Sequence, residues 1–220
     1  MRKKPRMSTS LTLGATADLI LRCLKVPGPR TKVRQGSTLY VQGDPSETIF
    51  LVVDGLVKIS MVNSDAQEII IDIVGAGALC GEGAVFDGLP RFSSATALSE
   101  TEVIRLTRAE LRERMAEDRE LADLIMTRIA LKQRQLAVRL QNVTTSSPET
   151  RISELFGYIV GNSLGPRVDD VRIELTHEQI ASLIGVSRVT VTRALRRLSE
   201  SGQITTDRGR IVLSAPYRLL

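Results

Sequence analysis

The residues best suited by type and spacing to do chemistry are Ser187-Arg188-Val189-Thr190-Val191-Thr192-Arg193, followed by Arg196 and Arg197. An arginine guanidinium is a planar fork of donors that matches guanine O6 and N7, and a threonine offers a hydroxyl to phosphate or a methyl to thymine. Arg188 falls in the first turn of a predicted helix, the part that reaches base edges in a major groove. Arg193, a turn and a half on, reaches another guanine or a phosphate. Val191, Ala194, Leu195 and Leu198 recur at helical spacing and predict the buried face. That leaves Arg188, Val189, Thr190, Thr192, Arg193, Arg196 and Arg197 outward. From Arg188 to the C-terminus, Arg188, Arg193, Arg196, Arg197, Arg208, Arg210 and Arg218 are opposed only by Glu200 and Asp207. This end therefore carries the phosphate-facing charge.

Positioning such a row needs a rigid frame, and the flanking residues predict one. Thr176-His177-Glu178-Gln179 is a capping box that opens a helix with Ile180, Leu183 and Ile184 on one face. Gly185 ends that helix and makes the turn, and Ser187 caps the next. Two short helices around a glycine turn, the second basic, form a helix-turn-helix. Gln203 to Thr206 and Arg210 to Leu213, joined by Asp207-Arg208-Gly209, predict a β-hairpin wing. The predicted DNA-contacting set is Thr176, Ser187, Arg188, Val189, Thr190, Thr192, Arg193, Arg197 and Arg208 on double-stranded DNA.

Upstream, Lys32 to Leu106 reads as short β-branched runs punctuated by glycine and aspartate. Thr48 to Val53 is a strand, Asp54-Gly55 a tight turn, and Leu56 to Met61 its predicted hairpin partner. Glu68 to Val74, Ser93 to Leu98 and Glu102 to Leu106 add strands, a spacing that implies a barrel or roll. Thr107-Arg108-Ala109-Glu110 is a second capping box. Asp118 caps a long helix to about Asn142, with Met126, Ile129, Gln133, Leu136, Leu140 and Val143 as a narrow apolar seam. Such a seam fits a two-stranded coiled coil between protomers, or a helix lying on its own core. Ser147 and Pro148 open a new helix.

The fold class is α+β: an N-terminal antiparallel β-roll, a long dimerisation helix and a C-terminal winged helix-turn-helix. The predicted organisation is a flexible tail over 1–16, a sensing roll over 17–117 that begins with a short helix at Ala17 to Leu24, a dimerisation helix over 118–143, a hinge over 144–147 and the DNA-binding domain over 148–220.

A chain of 220 residues with 42% hydrophobic and 25% charged residues supports two small domains, and 3% aromatics means cores of Ile, Leu, Val and Ala. The net charge of +5 fits a nucleic-acid partner. Two cysteines, Cys23 and Cys80, give no metal spacing and suit a reduced, cytoplasmic setting. No run is long enough to span a membrane. Enzymatic chemistry finds no nucleophile–base pair, no phosphate-cradling loop and a single histidine, His177, for which a surface role is predicted. Asp169-Asp170 reads as a loop. A signalling module whose C-terminal part contacts protein instead of DNA is the rival reading.

With these motifs placed, the chain resembles the catabolite-activator/fumarate-nitrate-regulator (CRP/FNR) superfamily from about Lys32 onward. Gly43-Asp44-Pro45, Val53-Asp54-Gly55 and Gly81-Glu82-Gly83-Ala84-Val85-Phe86 match its roll, and the order of roll, long helix and winged helix-turn-helix is its order. The reading helix looks most like the nitrogen-control branches; in the cyclic-AMP activators Val189 is usually a glutamate that pairs with cytosine. The resemblance implies a homodimer on a palindromic site, with RNA polymerase as a further partner. It also implies a cyclic-nucleotide-binding-like cassette in which glutamate takes a ribose hydroxyl and an Arg-Ser pair holds the cyclic phosphate. Gly81, Glu82, Gly83 and Arg91 match, whereas Phe92 stands in place of the serine, with Ser93 and Ser94 beside it. Leu136-Ala137 falls where those activators place Thr-Ser against adenine. The implied effector set is Gly81, Glu82, Gly83, Arg91, Phe92, Ser93 and Leu136. The effector is a cyclic nucleotide (cAMP or cGMP), a 2-oxo acid or none. Glu82 and Arg91 forming an internal ion pair is the structural alternative. The cysteine cluster of iron–sulfur members is absent, which argues against metal and heme sensing.

Overall fold

The computed structural model describes residues 30–163, 170–173, 175–207 and 210–214; the predicted tail and the helix at Ala17 to Leu24 lie outside them. Two antiparallel four-stranded sheets form the roll. One has the order β1 (Arg30–Val33), β8 (Thr101–Thr107), β3 (Thr48–Asp54), β6 (Leu79–Cys80). The other has the order β2 (Thr38–Tyr40), β7 (Ser94–Ala97), β4 (Val57–Val62), β5 (Glu68–Val74).

The predicted hairpin at Asp54-Gly55 is corrected. β3 pairs with β8 and β6, and β4 with β5 and β7, so the chain changes sheets at this turn. The Leu56 amide donates to Ser99 Oγ and the Leu98 amide to the Leu56 carbonyl, so the turn spends its hydrogen bonds on the β7–β8 connection. Gly55 has φ +88°, and a Cβ there would run into Glu100 O and Thr101. Only glycine fits that approach. The Asn63 turn does make a hairpin, with Asn63 Oδ1 accepting from the Asp65 and Gln67 amides.

Between strands and reading head run helices. α1 (Glu82–Asp87) is a short turn inside the roll, in a stretch where no helix was foreseen. α2 (Arg108–Glu117) opens on the predicted capping box, with Thr107 Oγ1 accepting from the Glu110 amide and Glu110 reaching back to the Thr107 amide. α3 (Arg119–Thr145) follows, with Asp118 accepting from the Leu121 amide. It runs through Thr144 and Thr145, so the predicted break is confined to Ser146-Ser147. α4 (Pro148–Ser163) starts there, with Ser147 Oγ accepting from the Thr150 amide.

The first turns of α3 lie on the roll: Leu121 and Ile125 are fully buried with Ile49, Leu51, Leu79, Val85, Ile104, Leu106 and Leu111, and Leu124 and Ile129 pack against the same cluster. Each such side chain contributes about 1.5–3 kcal/mol of burial. Its other face is free: Met126 is 65% exposed and Leu136 52%. The apolar positions thus serve two faces, a core face and a bare one.

The C-terminal part packs α4, α5 (His177–Ile184) and α6 (Arg188–Glu200) against a sheet of order β10 (Thr205–Asp207), β11 (Arg210–Ser214), β9 (Asp170–Ile173). β9 takes up Asp170, where the sequence predicts a loop. Ile152, Phe156, Ile180, Val191 and Ile204 are its deepest residues. The roll joins this core. Ile70 and Ile73 of edge strand β5 belong to the same cluster, and the Ile70 amide donates to Ser182 Oγ at 2.8 Å.

Candidate nucleic-acid interface and effector cradle

The reading helix is held at its N-terminal end. Thr176 Oγ1 accepts from the Gln179 amide while Gln179 Oε1 accepts from the Thr176 amide, which closes the capping box of α5. Gly185 follows at φ +68°, the left-handed conformation that the turn between helices needs. Ser187 Oγ then accepts from the Thr190 amide at 3.1 Å. Val191, Ala194, Leu195 and Leu198 are buried, as their spacing predicts.

Of the outward residues, several are already committed. The Thr190 and Ser187 hydroxyls hydrogen-bond each other at 2.9 Å, and Thr190 is half-buried. Thr192 Oγ1 donates to the Arg188 carbonyl and lies 2.9 Å from His177 Nδ1. Its one proton is used, so it accepts from His177 Nδ1–H. His177 therefore locks α5 to α6, a role its sequence position alone did not reveal. Arg196 pairs with Glu200 at 2.8 Å and Arg197 with Glu149 at 2.7 Å, both on the surface. Among the described residues no ion-pair partner faces Arg188 or Arg193, and Val189 stands 58% exposed between them. Those three side chains are free to meet a base edge. Arg208 lies outside the described residues.

The roll's cradle is built oppositely. Gly81 has φ +81° at the start of α1, and a Cβ there would collide with the Arg91 guanidinium. Arg91 is 4% exposed. Its Nη1 donates to the Gly81 carbonyl at 2.7 Å, its Nη2 to the Thr48 carbonyl and hydroxyl, and its Cζ sits 4.1 Å above the Tyr40 ring. Burial pulls the guanidinium below its ordinary value, while the neighbouring Tyr40, Cys80 and Glu82 act the other way. Burial also pushes the Tyr40 phenol upward, against its hydrogen bond to Ser93, and raises the Cys80 thiol to about 12. Both stay neutral at ordinary pH. Arg91 is thus a buried cation whose direct partners are all uncharged.

Glu82 and Arg91 do not form the internal ion pair considered above. Glu82 Oε1 instead meets Lys132 Nζ at 2.6 Å, and Lys132 also donates to the Leu79 carbonyl at 2.7 Å. Burial, the largest single influence, would lower the Lys132 ammonium, but Glu82, Cys80 and Asp72 together outweigh it and the net shift is upward. Sequence reasoning missed Lys132, Tyr40 and Thr48. A signal existed for the first: Leu121, Ile125, Ile129 and Lys132 continue one face of α3.

The remaining cassette residues divide. Ser93 is buried against Tyr40, and Ser94 Oγ accepts from the Gln42 amide at 2.9 Å, so both hydroxyls are engaged. Phe92 is 57% exposed, and its ring lies over Gly83 closely enough that a Cβ there would stand 3.1 Å from it. Leu136 is exposed one turn beyond Lys132. Among the described residues no group of metal-ligating side chains occurs, and no helix is long and apolar enough to cross a membrane.

Known proteins share this arrangement. The cyclic nucleotide-binding domain family matches residues 30–118, and the Crp-like helix-turn-helix domain family matches residues 150–220. The CRP-like cAMP-activated global transcriptional regulator of Mycobacterium tuberculosis is 29% identical over 192 residues, 84% of each chain. The global nitrogen regulator of Synechococcus elongatus is 28% identical over 200 residues, 89% of this chain and 90% of that one. The structure of FixK2 from Bradyrhizobium japonicum has the same fold, with a TM-score of 0.75 and 19% identity over 87% of this chain and 94% of that one. The chain belongs to the CRP/FNR family of DNA-binding transcription regulators.

Proposed function

We propose that this protein is a homodimer that reads a palindromic operator through α6 and contacts RNA polymerase there, in the cytoplasm, with a small anion in the roll adjusting its posture. The single observation that carries the reading is the exposed row Arg188, Val189 and Arg193, which meets no ion-pair partner among the described residues, on a helix capped by Ser187. Exposed cations without ion pairs are available to phosphate and guanine, and a packed helix loses no ordering entropy on meeting them. The bare face of α3, with Met126 and Leu136, supports the dimer through residues 118–143. The functional parts are the sensing roll over 17–117, that helix, a linker at Ser146-Ser147 and the DNA-binding domain over 148–220.

Arg91 supports the anion. Its buried charge meets only neutral acceptors, so a bound anion supplies what the protein does not. Relatives carry both cAMP-activated and nitrogen-regulator names, so cyclic nucleotides and 2-oxo acids are the compounds to screen. Thr176, Ser187, Thr190 and Thr192 act in the interface through phosphate contacts or by shaping the helix, Arg197 adds charge at its rim, and Arg208 is a further DNA contact by its charge. Gly81, Glu82, Gly83, Phe92, Ser93 and Leu136 frame the cradle around Arg91.

Selection from a random duplex pool tests the reading. Enrichment of a palindrome with half-sites one helical turn apart is the expected result. A pool that stays random, or a monomer at the selected concentration by sedimentation, overturns it. A thermal-shift screen against the parent and Arg91→Ala then finds an effector as the compound that stabilises only the parent.

A further inference from the structure

α3 leaves the roll core after Ile129, yet one side chain reaches back. Lys132 Nζ touches Glu82 Oε1 at 2.6 Å and the Leu79 carbonyl at 2.7 Å, residues that belong to α1 and β6. The pair is largely withdrawn from solvent, with side chains 30% and 19% exposed. The ion pair and a second hydrogen bond from the same ammonium restrain α3 against both α1 and β6. Together they set where α3 stands relative to α1.

The placement of this contact matters more than its strength. Gly81 and Glu82 are adjacent, and a cation seizes each: Arg91 holds the Gly81 carbonyl, and Lys132 holds the Glu82 carboxylate. A displacement at the cradle is felt by Glu82, hence by Lys132, hence by α3. Only Ser146-Ser147 separate α3 from α4, and Arg151 of α4 donates to the Ile184 carbonyl at the end of α5. The path from Glu82 to the reading head is continuous.

We infer that the Lys132–Glu82 pair is an internal clasp that performs, within one chain, the bridging of roll and long helix that a bound molecule would otherwise supply. The clasped protein already holds a DNA-competent posture before any anion enters the roll, which an anion on Arg91 then only adjusts, and Lys132 is a positioning residue for DNA binding. This rests on the regulator reading above, so its test is built to fail separately.

The full-length parent, Lys132→Met, Glu82→Gln and the double variant are compared, without added small molecules, for affinity to the selected duplex. Hydrogen exchange over residues 79–87 and 125–136 is followed without DNA. Each single variant is expected to bind about tenfold more weakly and to exchange faster in both segments, a modest shift of a two-state posture. The double variant should be no worse than either single one, because both remove the same contact. Unchanged affinity of Lys132→Met overturns the clasp, even with faster exchange. Additive losses in the double variant overturn it too, since the two residues then act apart. A parent that selects no palindrome sinks the regulator reading instead, while the exchange comparison still reports whether the pair holds α3 to the roll.

Discussion

Arg91 and Arg188 carry the same guanidinium into opposite surroundings. The first is 4% exposed, stacked on Tyr40 and bonded to the carbonyls of Gly81 and Thr48. The second stands outward in the first turn of α6 and, among the described residues, has no ion pair. A buried arginine is part of the structure that it touches, and removing it leaves acceptors unpaired. An exposed one costs the fold nothing and is held in reserve for a ligand. The two halves of the molecule should therefore respond to the same substitution in different currencies, stability in the roll and specificity in the reading head.

The sharpest way to break this contrast is Arg91→Ala. Two carbonyls lose their donor and the Tyr40 face its cover, against some relief from desolvating the charge, so a loss of about 2–4 kcal/mol is expected. For a chain of this size that lowers Tm by roughly 5–15 °C, read by thermal melting. An unchanged Tm would mean that the cradle's carbonyls find other donors and that Arg91 is as free as Arg188.

Arg188→Ala is the counterpart. Stability should stay within about 0.5 kcal/mol, as for surface changes remote from packing. Discrimination at one G·C pair should fall by about 1–3 kcal/mol. Competition binding with the selected duplex and its single-base variants measures this. A folded variant with the parent's full base preference would remove Arg188 from direct readout and leave Arg193 to carry it.

How far each half was legible follows from the same difference. The reading head is made by local rules, namely caps, a glycine turn and helical spacing, so Thr176, Gly185, Ser187 and Val191 could be read in place. The cradle is made by contacts between residues far apart in the chain, Arg91 with Thr48 and Lys132 with Glu82, which no short-range pattern encodes. The predicted pairing of Thr48–Val53 with Leu56–Met61 failed for a related reason. Asp54-Gly55 has the local chemistry of a hairpin, but its hydrogen bonds go to Leu98 and Ser99, more than 40 residues on. β9 does carry the alternation Asp170-Val171-Arg172-Ile173, but at four residues it is the shortest run that signals a strand, and the Asp169-Asp170 pair at its start reads as a loop until β11 pairs with it.

A smaller effect sharpens the comparison within the reading head. Ser187→Ala removes the acceptor for the Thr190 amide and should cost about 1 kcal/mol. Because Ser187 also sets where Arg188 points, the loss of DNA affinity should exceed what the melting curve implies. Equal losses would make the cap a stability device only. His177→Ala should act similarly through Thr192, whose hydroxyl would lose one of its two partners.

The least effect expected is electrostatic and lies in the roll's exit, at the capping box of α2. The Thr107 amide, first, and then its hydroxyl hold the Glu110 carboxyl below its ordinary value of 4.5. A carboxyl depressed in the folded state contributes stability that is fully present above its unfolded value and is lost as pH falls through the folded value. The parent should therefore exceed Glu110→Ala in stability at neutral pH, with the gap closing as the pH falls below the mid-4 range. Glu110 is at the surface, so salt should narrow the gap further. Denaturant titrations of both proteins from neutral to acid pH check the sign. A gap that widens toward acid would mean that the protonated side chain caps better than the carboxylate, against the two donors that Thr107 presents to Glu110 Oε2 at 2.7 and 2.8 Å.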